Sequence, residues 1–180
     1  TLAGALNNVN FTVVRGDIAD SDFVCGLFAR ESFDAVVNFA AESHVDRSIS
    51  GAQVFMVSNV VGVQVLLDAC NRYGVRRFHQ ISTDEVYGDL PLGSPSLKFT
   101  EESPLRPSSP YAASKAAADL IAPASRRTYG TFVTISRSSN NYGPYHHPEH
   151  PQPLVHTRPL PREKLTVYGD ATHVRDWISR

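Results

Sequence analysis

Apolar positions along the chain alternate between two rhythms. Phe11-Thr12-Val13-Val14 is a short β-rich run that closes on Gly16-Asp17-Ile18 and predicts a strand. Residues 20–30 have helical spacing, with Asp20 or Ser21 able to cap the first turn. Residues 34–40 form a nearly continuous apolar run, as expected of a strand covered on both faces. In residues 53–73, Val57, Val60, Val61, Leu67 and Cys70 fall near one helical face, and Gly74 suits the position just past a helix end. The pattern then predicts a strand at 76–82, a helix at 110–129 closed by Gly130, and a strand at 132–137. Residues 142–161 are rich in Pro and His and read as a loop, before a last short strand at 164–168.

Strands alternating with helices over short links are the pattern of βαβ units on a parallel sheet. Ligands of such sheets lie outside the carboxyl ends of the strands. Those ends are Asp17-Ile18, residues 39–43, residues 82–85 and residues 137–141, and each runs into small or polar residues. Chemistry is expected to collect there. With 180 residues, 42% of them apolar, the chain can bury a sizeable core. A net charge of −1 gives no basic field, which argues against general binding of nucleic acid or membrane surfaces. No uninterrupted apolar run approaches the roughly 18 residues of a membrane span, and no stretch has the order of a signal peptide. Cys25 and Cys70 stand at no motif spacing and read as reduced core thiols of a cytoplasmic protein. The triplet Asn10-Phe11-Thr12 matches a glycosylation sequon of the kind that arises by chance.

Two clusters carry candidate chemistry. Tyr111-Ala112-Ala113-Ser114-Lys115 sets a phenol and an ammonium four residues apart at a helix start, on one face. A neighbouring ammonium favours phenolate, so the tyrosine pKa is expected to fall and the residue to serve as a base. Alone, the pair reads first as an ordinary exposed pair on a helix. Ser82-Thr83-Asp84-Glu85-Val86-Tyr87-Gly88 closes the preceding strand with a hydroxyl and two adjacent carboxylates. These could bind a sugar hydroxyl, one carboxyl acting as acid and the other as base; a solvated turn with a capping Asp is the alternative. The run His146-His147-Pro148-Glu149-His150 is not read as a metal site, because Pro148 disfavours a shared helical face and no second cluster supports it.

Together the two clusters, with Ala40-Ala41-Glu42-Ser43-His44-Val45-Asp46-Arg47-Ser48, Ser139-Asn140-Asn141-Tyr142-Gly143-Pro144-Tyr145, Val167-Tyr168-Gly169-Asp170 and Val174-Arg175-Asp176-Trp177, resemble the extended short-chain dehydrogenase/reductase family, and within it the family of dTDP-glucose 4,6-dehydratases. The resemblance covers essentially the whole chain. It implies an α/β, Rossmann-type doubly wound parallel sheet, NAD as cofactor and dTDP-glucose as substrate. Asp17 and Ile18 would hold the adenine end of NAD. Phe39, Ala40, Ala41, Glu42, Ser43, Ser58 and Asn141 would line the rest, and Ser43 and Asn140 would also reach the substrate. Thr83 would bond the hexose 4-hydroxyl. Tyr111 would take its proton while C4 gives hydride to NAD, and Lys115 would hold the nicotinamide ribose. Glu85 would remove the C5 proton and Asp84 would protonate the departing 6-hydroxyl; return of the hydride to C6 and of a proton to C5 would then give a 4-keto-6-deoxy sugar nucleotide. Tyr168 and Arg175 would serve the diphosphate. A related epimerase or decarboxylase is the enzyme alternative, which the Asp84-Glu85 pair disfavours; a non-catalytic sugar-nucleotide-binding fragment is the other.

The chain departs from the family pattern in several places. No G-x-G-x-x-G run occurs, so the first βα unit is expected to be absent, together with most of the C-terminal substrate domain. Residues 1–141 would be a partial NAD-binding domain and residues 142–180 the start of the sugar-nucleotide-binding region. Such a piece is expected to be inactive alone and the intact protein to be a homodimer. Pro123 falls inside the helix begun at Tyr111, where a proline costs about 3 kcal/mol or more. His150-Pro151-Gln152-Pro153 replaces a Lys-Leu pair that grips substrate, and Thr166 replaces a Pro.

Overall fold

The computed structural model describes residues 4–91, 97–144 and 177–179. Two compact units make up the chain: Val14–Gly88 with Phe99–Ser138, and Thr1–Val13 with Asp89–Lys98 and Ser139–Arg180.

The first of these units is an α/β layer structure. Its sheet has the order β1 (Ala35–Asn38), β2 (Arg77–Thr83), β3 (Phe132–Ser138), and all pairings are parallel. Val36 lies opposite Phe78, and Phe78 opposite Val133. Parallel neighbours need crossovers. The link from β1 to β2 runs through α2 (Val45–Ser50), α3 (Ala52–Met56), a π turn (Val57–Val61) and α4 (Gly62–Tyr73); that from β2 to β3 runs through α5 (Pro110–Tyr129). Along β2, Phe78, Gln80 and Ser82 point into the core while their neighbours do not, the period of two expected of a strand. Val63, Leu66, Leu67 and Cys70 of α4 meet Phe78, Val133, Ala118 and Ala122 over the sheet, with Val24 and Phe28 of α1 (Ser21–Arg30) behind them. Burial of Leu67 or Phe78 stabilises the fold by about 1.5–3 kcal/mol each.

The local end signals work as read. Asp20 caps α1, its Oδ1 accepting from Phe23 N at 2.9 Å. Gly74 and Gly130 close α4 and α5 in the left-handed region at φ 73° and 81°.

One expectation is corrected, and two others are qualified. Residues 11–14 form no strand, and Val13 and Val14 are exposed; a strand is held by its ladder, and no described strand pairs with this segment. Pro123 does not break α5. Its ring lies on the exposed side, so the missing N–H deprives only the Asp119 carbonyl, while Ala112, Ala118 and Ala122 keep the helix seated. Finally, the helical run Ala52–Tyr73 is long and apolar enough, by length and composition, to cross a membrane. Its scattered polar residues interrupt any run without lowering the average much, and nearly half of its most apolar stretch is buried in the protein.

In the other unit, β4 (Asn140–Tyr142) pairs in parallel with β5 (Trp177–Ser179). The loop expected at 142–161 begins inside β4, which ends at Tyr142; residues 145–161 and the strand expected at 164–168 lie outside the described residues.

Candidate active site

The end of β2 and the start of α5 form the centre of the site. Thr83 terminates the strand and caps a 3-10 turn, Asp84–Tyr87, its Oγ1 accepting from Glu85 N and donating to Asp84 Oδ1, both at 3.3 Å. The far side of the turn is anchored: Val86 and Tyr87 pack with Ala116 of α5, and Tyr87 stacks on Phe99 at 4.9 Å. Gly88 leaves the turn at φ 84°, and a Cβ there would stand 2.4 Å from the Arg106 carbonyl oxygen. The glycine is therefore dictated both by backbone conformation and by close approach. Ser109 caps α5 through Ala112 N at 3.0 Å, and Pro110 occupies the first turn, where its missing N–H costs nothing.

That start delivers Tyr111 and Lys115. Tyr111 is half-buried against Phe55 and beside Thr83; Lys115 is 4% exposed and donates from Nζ to the Ile81 carbonyl at 2.6 Å. Burial, then the negative charge of Glu85, push the Tyr111 phenol up to about 12; a hydrogen bond with Thr83 opposes this and Asp84 adds to it. Lys115 is itself pulled down by burial, against the charge of Asp119. The expected fall of the Tyr111 pKa is thus corrected: loss of water and two nearby carboxylates outweigh the ammonium, which is turned onto Ile81.

A second group of residues lies at the end of β1. Asn38 donates to Gln80 Oε1 and accepts from Ala40 N, both at 3.0 Å. Phe39, Ala40, Ala41 and Ser43 are exposed and Glu42 is half-buried. Asn59, buried in the π turn, clamps Glu42: its Oδ1 accepts from Glu42 N at 2.8 Å and its Nδ2 donates to Glu42 O at 2.9 Å. The same Nδ2 donates to Ser114 Oγ at 2.8 Å, and Ser114 donates to the Tyr111 carbonyl at 2.7 Å. One buried amide therefore ties the β1 loop to the helix turn bearing Tyr111. Ser58 stands half-buried next to it in the turn. Asp17 is exposed, its Oδ1 accepting from Ala19 N at 2.9 Å, and Ile18 packs over Gly62, where a Cβ would come within 2.7 Å.

The structure thus assembles Thr83, Asp84, Glu85, Tyr111 and Lys115 in one unit with Asp17, Ile18, Ser58 and the 39–43 loop. Asn140 and Asn141 belong to the other unit, where Asn141 Nδ2 donates to the Ser139 carbonyl at 3.1 Å. Tyr168 and Arg175 lie outside the described residues. Sequence reading missed Asn59 and Asp119. The available signals were a polar residue within the buried row Phe55, Asn59, Val63, and the four-residue spacing that continues from Tyr111 and Lys115 to Asp119.

Residues 3–179 match the model of the GDP-mannose 4,6 dehydratase family. The chain belongs to that family. Within the family's range, it is 50% identical over 177 residues to a dTDP-glucose 4,6-dehydratase of Actinoplanes sp., covering 98% of this chain and 53% of that relative. The structure of DesIV, a dTDP-glucose 4,6-dehydratase from Streptomyces venezuelae with NAD and TYD bound, superposes with a TM-score of 0.90 at 49% identity, over 99% of this chain and 53% of that one. A UDP-glucose 4-epimerase from Thermus thermophilus in complex with NAD matches less fully, with a TM-score of 0.72 at 33% identity over 79% of this chain and 45% of that one. The chain spans about half the length of the dehydratase relatives it matches. The matched range includes the Thr83-Asp84-Glu85 turn and the Tyr111/Lys115 helix start.

Proposed function

We propose that the intact protein converts dTDP-glucose to dTDP-4-keto-6-deoxyglucose, with NAD as its resident cofactor. The observation that carries this reading is the placement of Asp84 and Glu85 in the 3-10 turn that follows β2, beside the start of α5 with Tyr111 and Lys115. An epimerase has no need for an acid and a base beside the C4 base, whereas removal of water across C5 and C6 needs both. The residues present fit NAD. Ala40 and Ala41 offer small, exposed surface on a backbone fixed by Asn38 and Asn59, and Lys115 holds further N–H groups beyond the one on Ile81.

NAD, when bound, carries the hydrogen that leaves C4 and returns to C6. Tyr111 and Lys115 hold the nicotinamide ribose; Asp17, Ile18, Phe39, Ala40, Ala41, Glu42, Ser43, Ser58 and Asn141 hold the remainder. Ser43, Asn140, Tyr168 and Arg175 serve the sugar nucleotide. Thr83 orients the 4-hydroxyl and Tyr111 accepts its proton. Once C4 is a ketone the C5–H is acidified; Glu85 removes that proton and Asp84 protonates the 6-hydroxyl as it leaves as water, and a proton then returns to C5, which with the hydrogen returned to C6 completes the 4-keto-6-deoxy sugar. Residues 1–141 then form part of the NAD-binding domain and 142–180 open the sugar-nucleotide region. With Cys25 and Cys70 free thiols, the reading extends to a cytoplasmic homodimer without nucleic-acid or membrane partners. It also holds that the 180-residue chain by itself neither binds NAD at micromolar concentration nor turns over, which calorimetry on that chain checks.

The experiment is to incubate the intact protein with dTDP-glucose and identify the product by mass and by its alkali-sensitive ketone. A product lighter by one water supports the reading. Formation of dTDP-galactose without loss of water would favour the epimerase, and binding without change would favour a non-catalytic module.

A further inference from the structure

On α5, Tyr111, Lys115 and Asp119 stand four residues apart and share one face. Asp119 plays no part in the mechanism above, yet it is 2% exposed. Its Oδ2 accepts from Arg137 Nε of β3 at 2.7 Å. Arg137 in turn donates from Nη1 to the Tyr87 hydroxyl at 2.8 Å. The contact has salt-bridge geometry; burial raises the Asp119 carboxyl pKa, and the hydrogen bond and charge of Arg137, which a guanidinium keeps in proteins, oppose that rise and favour the carboxylate. Asp119 Oδ1 and Ser82 Oγ are both buried without a hydrogen-bond partner among the described residues; the hydroxyl is near enough to favour the carboxylate but not aligned to bond it. A buried carboxylate with one oxygen unpaired is costly for a merely structural element.

Lys115 explains the cost. Its Nζ is buried on the Ile81 carbonyl, which also accepts from Gln80 Nε2 at 3.3 Å. A carbonyl orients an ammonium but brings no net charge. The charged and titratable groups around the two residues are Tyr111 on α5, Arg137 on β3, and Asp84, Glu85 and Tyr87 in the 3-10 turn. Of these, Asp84 and Glu85 act on Tyr111 and Arg137 is spent on Asp119, which leaves Asp119 as the anion acting on Lys115. We infer that Asp119 is a positioning residue for Lys115, the buried counter-charge that keeps its ε-amino group a cation beside Tyr111, with Arg137 and Tyr87 locking the carboxylate in place. This assignment rests on the role proposed for Lys115 in the site.

The test is a titration of Lys115 in the intact protein, labelled with ¹³Cε-lysine and assigned by the resonance lost in Lys115→Arg. Asp119→Asn leaves Arg137 and Lys115 as uncompensated cations, and the Lys115 midpoint is expected to fall by about 1–3 pH units. Asp119→Glu is expected to restore most of it, and Tyr87→Phe to move it far less. Where Asp119→Asn alone fails to fold because Arg137 is left unpaired, Asp119→Asn with Arg137→Met is compared with Arg137→Met alone; the two differ only in the carboxylate, and the midpoint is expected to be lower in the double variant. An unchanged midpoint in whichever variant folds overturns the inference. The titration needs no turnover, so a protein that shows the shift but does not dehydrate dTDP-glucose sinks the functional reading alone.

Discussion

Tyr111, the phenol proposed as the base, is held beside the end of β2 in surroundings that resist its ionisation. Burial and the charges of Glu85 and Asp84 act together on Tyr111, and Thr83 opposes them only in part. Because the folded pKa, about 12, lies above the ordinary value of 10.0, the folded state binds the proton more tightly than the unfolded chain does. Stability is therefore complete below pH 10 and is lost as pH rises toward 12, by at most about 3 kcal/mol. Tyr111→Phe removes this dependence, so urea melts of the two proteins should diverge as pH rises from 10.0 toward about 12, the variant losing less. The roles of the carboxylates separate in a different measurement. Tyr111→Phe should stop oxidation at C4, while Asp84→Asn and Glu85→Gln should impair elimination more than the first oxidation, as single-turnover NADH absorbance reads. An Asp84→Asn protein that binds substrate but forms no NADH would show the assignment to be wrong. Tyr111, Lys115, Asp84 and Glu85 were legible because their types and spacing are local. The direction of the Tyr111 shift was not, since burial is a property of the packed chain.

Elements divide along the same line. α1 could be read from Asp20, and the ends of α4 and α5 from Gly74 and Gly130, because capping is decided within a few residues. The π turn could not, since a 3.6-residue template has no place for its extra residue, and it carries the Asn59 clamp. The strand expected at 11–14 failed because a ladder depends on chain remote in sequence. Pro123 exposes the limit of a local penalty: the proline is tolerated on the outer side of a 20-residue helix whose inner side is fixed by small alanines. The lost hydrogen bond nevertheless remains. Pro123→Ala restores the donor to the Asp119 carbonyl, against a smaller gain in unfolded-chain freedom, and should stabilise the protein by about 1–2 kcal/mol. Chemical denaturation checks this; a lower midpoint would mean that the ring packs in a way that the exposed position does not show.

At the scale of the molecule, the apolar residues left on the outside have to be explained. Val54, Met56, Val57 and Val61 of the Ala52–Tyr73 run are 38–48% exposed, and Leu120 of α5 is 66% exposed. Lipid is one possible cover, because the run has the length and composition of a span. The exposed stretch is too short for it: from Val54 to Val61 a helix rises only about 10 Å, against about 30 Å of hydrocarbon in a bilayer. The other part of the run, with Val63, Leu66, Leu67 and Cys70, is already committed to the core. A short apolar patch on neighbouring helices is instead what a second copy would cover by a two-fold contact. Removing that patch from water favours association at roughly 25 cal/mol per Å², before the cost of ordering the partners. The intact protein should therefore sediment as a dimer at micromolar concentration and should not float with neutral vesicles. Val57→Glu with Leu120→Glu puts charge into the patch without touching Tyr111, Lys115, Asp84 or Glu85. It should shift the protein to monomer while circular dichroism stays unchanged. A dimer that survives both substitutions would place the interface elsewhere on the surface.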